Sequence, residues 1–195
     1  MDALAFFRVR YADIHGRLLD DVLGGLSEDQ VRRRPHPAVN TLAWLVWHTA
    51  RIEDVGVNRF VADRPQVMDE EGWLARMKLT RRDVGTGMDD AEVNELSAAA
   101  DLDALRGYWQ AVTRRTLAVV ETLGGQDLEA PVPMDRVQRV AFEEGAVAAK
   151  AAWLAEFWGA GRSRAWVLSQ TPLLHVVGHW YEARVVKGLW GLRSP

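Results

Sequence analysis

TPLLHVVGHWYEARVVKGL, residues 171–189, places two histidines, His175 and His179, four positions apart on an otherwise apolar run. On a helix that spacing is one turn and about 40° of rotation, so both imidazoles reach toward one point. Thr171 as N-cap with Pro172 at the first helical position predicts that a helix opens here, and Gly188 or Gly191 ends it. A ring packed among Val176, Val177 and Trp180 needs a hydrogen-bond partner or another use for its lone pair. Glu182 continues the same stripe three residues after His179. Val176 stands where the zinc-protease motif requires a glutamate, so the pair is not that motif.

Three more segments repeat apolar residues at helical spacing. Leu4, Phe7, Tyr11, Ile14, Leu18 and Val22 mark the first, closed by Gly24-Gly25. The second is NTLAWLVWHTARIEDVGVNRFVA from residue 40, with Asn40 as N-cap and Pro65 as the stop. Its stripe is Trp44, His48, Ile52 and Val55. The third runs from Asp101 to Leu123 and carries Leu102, Leu105, Trp109, Val112, Thr116 and Val119. Ser27 with Gln30, and Asp89 with Glu92, have the spacing that opens short helices. Pro131 and Pro133 force a loop, and the Ala-rich stretch 141–159 predicts a further helix. With no alternating strand pattern and no linker, the expectation is an all-α chain. It is one domain over residues 1–195, a four-helix bundle with inserted short helices and loops.

Composition narrows the function classes. The net charge is -3 and the basic runs at Arg32–Arg34, Arg81–Arg82 and Arg114–Arg115 are interrupted by acids or apolar positions, so no nucleic acid is expected as partner. No apolar run approaches the length of a membrane span, and MDALAFFRVRYADIHG resembles neither a signal peptide nor an anchor, which together give a cytoplasmic expectation. The chain has no cysteine, which excludes disulfides, thiolate ligands and a cysteine nucleophile. Of 24 basic residues only Lys78, Lys150 and Lys187 are lysine, a bias that points to a GC-rich coding sequence.

His48 is the third member of the argument. It lies between Trp44 and Ile52 on the second helix, and with His175 and His179 it would complete three nitrogen ligands for a divalent transition metal, leaving positions for water or substrate. The alternative is histidines at the edge of the core, each bonded to a carboxylate or a carbonyl. His15 flanks the first stripe as a partly buried structural residue, and His36 sits in an exposed proline loop. Trp44 is a candidate wall for a bound cofactor, with core packing as its alternative. Glu182 is a candidate acceptor for an imidazole N–H, or a general base.

NTLAWLVWHTARIED at 40–54, GTGM at 85–88, LDALRGYWQAVTRRT at 102–116 and HVVGHWYEARVVKGLWG at 175–191 together resemble the DinB-like family. That family includes the metal-binding domains of mycothiol-dependent enzymes and the bacillithiol S-transferases. The resemblance implies a four-helix bundle and a zinc or nickel site on His48, His175 and His179. It also implies a small-molecule thiol (mycothiol or bacillithiol) with an electrophile as partners, S-transfer or isomerisation as the activity, and a homodimer. A non-catalytic metal-binding stress protein is the other reading, and a metal-dependent hydrolase a third. MDRVQRVAFEEGAVAAKAAWLAEFWGAGR, residues 134–162, matches nothing in the family, and the role of 125–170 is left open by the resemblance.

Overall fold

Three long helices open on a side chain that accepts an orphan backbone N–H. The computed structural model describes residues 1–192, so residues 193–195 of the expected unit lie outside the described residues. Helix α1 spans Ala3–Leu23, and Asp2 accepts from the Ala5 amide at 2.7 Å. Helix α2 spans Leu42–Glu53 and runs on as a π-helix over Asp54–Val61. Its N-cap is Thr41, which accepts from the Trp44 amide at 3.1 Å, and not the expected Asn40, whose side chain is used elsewhere. Helix α3 spans Leu102–Glu121 behind Asp101. The last long helix, α4, spans Val176–Leu189 and closes on Gly191 at φ +77, with the Leu192 amide donating to the Lys187 carbonyl.

The expected start of the last helix at Thr171 is corrected. The chain is already helical at Arg164–Ser169, capped by Ser163, and it passes through a π-helical turn at Gln170–His175 into α4. Pro172 has no N–H to donate and its ring would crowd the preceding turn of an α-helix. The wider turn accommodates it, and the Thr171 hydroxyl donates to the Val167 carbonyl at 3.0 Å. The Ala-rich stretch is likewise not one helix. It breaks at Gly145 (φ +71), where the Val84 amide donates to the Ala146 carbonyl, and resumes as the helix Trp153–Gly159.

Helix α2 packs against α1, α3 and α4, and every residue from Leu42 to Glu53 is buried. The Trp44–Val55 stripe is therefore not a single inward face; a helix with neighbours all round is apolar all round. Its charged residues find partners inside the core, while Trp47 Nε1 and Arg51 Nε are buried without one. The Arg51 guanidinium donates to Gln66 Oε1 at 2.8 Å and to the Arg82 carbonyl at 2.6 Å, and lies 3.6 Å from the Asp54 carboxylate. Asp54 accepts from the Val67 and Met68 amides and from the Tyr108 hydroxyl. Glu53 accepts from the hydroxyls of Tyr11 at 2.5 Å and Thr116 at 2.6 Å. Lys187 reaches from α4 to the carbonyls of Asp21 and Gly24, closing the C-terminal end of α1.

Among the described residues there is no strand. One antiparallel bridge, Pro131 with Ser163, pinches together the two ends of the excursion between α3 and the last helical run. The Val132 amide donates to the Arg162 carbonyl at 2.8 Å and the Arg164 amide to the Ala130 carbonyl at 2.9 Å. No helix among the described residues is long and apolar enough to cross a membrane.

Two of the π-helical segments, Asp54–Val61 and Gln170–His175, meet at Gly56 and Thr171. A Cβ on Gly56 would stand 2.5 Å from the Thr171 hydroxyl oxygen and 2.9 Å from its Cβ. Alanine inside a helix gains about 1 kcal/mol over glycine, but overpacking a filled core costs about 1–3 kcal/mol. Gly56→Ala is therefore expected to lower stability in urea unfolding, and adding Thr171→Ala should recover part of the loss. Arg51→Met, which strands Asp54 and the carbonyls around it, should cost about 3–5 kcal/mol by the same measurement.

Candidate metal centre

His48 projects from the middle of α2. His175 ends the π-helical turn and His179 follows one turn into α4. The rings stand edge to face, with centroids 4.8 Å apart for His48 and His175, 5.0 Å for His48 and His179, and 4.6 Å for His175 and His179. One nitrogen from each lies within 4.8 Å of the others. His48 Nε2 and His175 Nε2 are 3.1 Å apart.

Two rings are oriented by a bond on the far nitrogen. His48 Nδ1 meets the Val84 carbonyl at 2.5 Å, and a carbonyl only accepts, so Nδ1 carries the proton and the Nε2 lone pair faces His175. Trp44 stacks on the same ring at 4.4 Å, nearly parallel, and its indole N–H points to Met88 Sδ. His179 Nδ1 meets Glu182 Oε2 at 2.8 Å, while Asn40 donates to Glu182 Oε1 at 2.8 Å. Both Glu182 oxygens are thus engaged in fixing His179. His175 Nδ1 is buried without a hydrogen-bond partner.

Electrostatics keep two of the rings, His48 and His175, neutral. Burial, followed by the neighbouring His179, lowers the His48 pKa to about 3, against smaller opposing effects of Val84 and Glu182. Burial and then His48 and His179 hold His175 well below the usual imidazole range. Burial alone would raise Glu182, but the bonds from His179 and Asn40 outweigh it and its pKa is lowered. Neutral imidazoles and an ionised carboxylate behind one of them are the protonation states that a nitrogen-ligated cation needs. The donor set of three imidazoles fits zinc, nickel, copper or iron and disfavours magnesium and calcium.

Beside His48 and His175 lies a cavity of about 210 Å³. Its apolar wall is Ile52, Leu154, Trp153, Phe157 and Trp158. Thr86 of the GTGM loop also lines it, and the loop's glycines have structural work. Gly85 is at φ +83 against the Trp47 ring, where a Cβ would overlap it, and Gly87 is at φ +80. Trp44 does not line this cavity; it covers the opposite side of the His48 ring. Four of the five apolar wall residues come from the stretch 125–170, whose role was not legible in the sequence. Trp153 and Phe157, four apart, were the available signal. His15 is fully buried, stacked on Tyr11 and bonded to the Pro172 carbonyl, and His36 is exposed; neither joins the trio.

A helical bundle that gathers one imidazole from its central helix and an H-x-x-x-H pair from its last defines a class of all-α proteins with a tri-histidine cluster. A model of the DinB superfamily matches residues 12–180, and the chain belongs to that family. Among solved structures, a conserved protein from Enterococcus faecalis has the same fold, with a TM-score of 0.66 over 96% of this chain and 99% of that one, at 16% identity. A search of curated proteins found no match.

Removing the carboxylate behind His179 tests the orientation argument. Glu182→Ala is expected to weaken zinc or nickel binding about 10- to 100-fold in a competition titration, with helical content unchanged. His48→Ala should remove most of the metal found by elemental analysis of untagged protein, and His36→Ala should remove none.

Proposed function

We propose that the chain is a metal-dependent enzyme that transfers a low-molecular-weight thiol to an electrophile, or uses it in isomerisation. Mycothiol and bacillithiol are the candidate thiols, and zinc or nickel the candidate metals. One observation carries this reading: three imidazoles converge at the edge of a walled cavity. A divalent metal held by His48, His175 and His179 keeps its full positive charge and supplies the field that lowers the pKa of a thiol brought to it. The protein has no cysteine, so a sulfur nucleophile has to come from a second molecule.

The chain's own residues do the positioning. Val84 and Glu182 fix the faces that His48 and His179 present, and Trp44 holds the His48 ring flat. Ile52, Leu154 and Trp158 exclude water from the side of the cavity away from solvent, which strengthens electrostatic effects at its polar edge. Glu182 is a positioning residue in this reading, since neither of its oxygens is left to take a proton.

Turnover is expected to need both metal and thiol. His179→Ala should abolish it while circular dichroism still reports a folded bundle, because burial along the helices supplies most of the stability. In cobalt-substituted protein, titration with mycothiol or bacillithiol should change the visible spectrum as sulfur enters the coordination shell. An unchanged spectrum with turnover by metal and water alone would instead support a hydrolase, and an unchanged spectrum without turnover a binding protein.

A further inference from the structure

We propose that the cavity beside the histidines is an acceptor subsite for an uncharged, flat, apolar molecule, such as an aromatic ring carrying neutral substituents. Its description as an acceptor subsite rests on the thiol-transfer reading above; the class of ligand follows from the lining alone.

An apolar cavity of about 150 Å³ accommodates one benzene ring. At about 210 Å³ this one takes a substituted ring. Its deep wall is rigid: Ile52 is 4% exposed, Leu154 5% and Trp158 2%, and Trp158 packs edge to face on Phe60 at 5.2 Å. Phe157 is braced between Trp153 at 6.3 Å and Trp166 at 5.2 Å, both edge to face. Trp153, 59% exposed, stands where a ring can add to that row from solvent. Edge-to-face and offset stacking on such a row favours a flat π-system.

The polar lining is sparse and neutral. Apart from the two histidines it consists of Thr86, Gln170 and Thr171, and the Thr171 hydroxyl already donates to the Val167 carbonyl. No lysine, arginine, aspartate or glutamate lines the cavity among the described residues. Arg162 is not in the lining; it stands over the Trp166 ring at 4.3 Å and the Phe157 ring at 5.7 Å and donates to the Phe157 carbonyl. In the metal-free protein a carboxylate entering here would lose its water with no counter-charge in the lining to replace it. A neutral ring loses nothing comparable.

The test uses the full chain without metal or thiol, so it is independent of catalysis. Fluorine NMR titration compares p-fluorotoluene with p-fluorobenzoate. The neutral ring is expected to bind about tenfold tighter or more, a difference of about 1.4 kcal/mol or above. Phe157→Ala should weaken its binding severalfold, and Gln170→Arg, which adds a cation to the lining, should bring the benzoate level with the toluene or past it. Should Phe157→Ala fail to fold, Trp153→Ala, at the exposed rim, replaces it. Absence of binding by either ring, a wild-type preference for the benzoate, or a neutral-ring affinity indifferent to the wall variants overturns the proposal. None of these results bears on thiol-dependent turnover, and absence of turnover leaves the ring-binding result standing.

Discussion

The close approach of Gly56 to Thr171 is the constraint on which the rest of the arrangement depends. Helix α2 and the last helical run can cross there only because one of them has no side chain at the contact. His48 lies two turns before that crossing on one element and His175 one turn after it on the other, so the contact sets how far apart their rings fall. Both elements widen to π-helical turns at the same place. A π turn inserts one residue into the helical register and rotates everything beyond it. On the last helix this rotation comes directly before His175, and it accompanies a proline that an α-helix would not hold at that position.

The second feature is the way α2 handles polarity. A central helix carrying Arg51, Glu53, Asp54 and His48 at 4% exposure or less would be prohibitively expensive if any of them were unpaired. Each instead meets a group from a different element: Arg82 and Gln66 for Arg51, Tyr11 and Thr116 for Glu53, Tyr108 for Asp54, Val84 for His48. These bonds fix the rotation of α2 more narrowly than apolar packing would, because a helix apolar all round has no preferred face of its own. The orientation of His48 Nε2 is thereby inherited from the whole set.

Much of this was legible in the sequence, and the remainder was not for identifiable reasons. Helical stripes such as Phe7, Tyr11, Ile14, Leu18 and Val22 show because periodic burial must be written into the residues that are buried. The capping pairs Ser27 with Gln30 and Asp89 with Glu92 show because they are local. The histidine trio shows because imidazoles stand out on apolar faces. The π turns at Asp54–Val61 and Gln170–His175 did not show, since they answer to a tertiary contact, Gly56 with Thr171, more than a hundred residues apart in the chain. Thr171-Pro172 is a good helix opening by local chemistry, and only the packing of Ser163–Ser169 against α2 carries the helix through it. The break at Gly145 was hidden by the alanines around it, whose propensity is helical whatever the backbone does. The cavity wall is a product of the excursion 132–162 folding back, which no local pattern encodes.

That excursion has one more property. Its two ends are clasped by the Pro131–Ser163 bridge and the two amide bonds beside it, so the chain leaves and re-enters the bundle at a single doorway. Lengthening a loop whose ends already meet adds little closure entropy, since the dependence on length is only logarithmic. Closure is thus nearly independent of the segment's length, but its interior is not: Val137, Val140, Ala141, Leu154 and Trp158 are buried in one core with Val57 and Phe60, and Arg136 donates to the Phe60 carbonyl. The Val84 amide on the Ala146 carbonyl and the Arg82 guanidinium on the Glu144 carbonyl tie that interior to the loop that orients His48. Insertions near the doorway are therefore cheap, whereas a change inside the segment is felt both in that core and at the His48 ring.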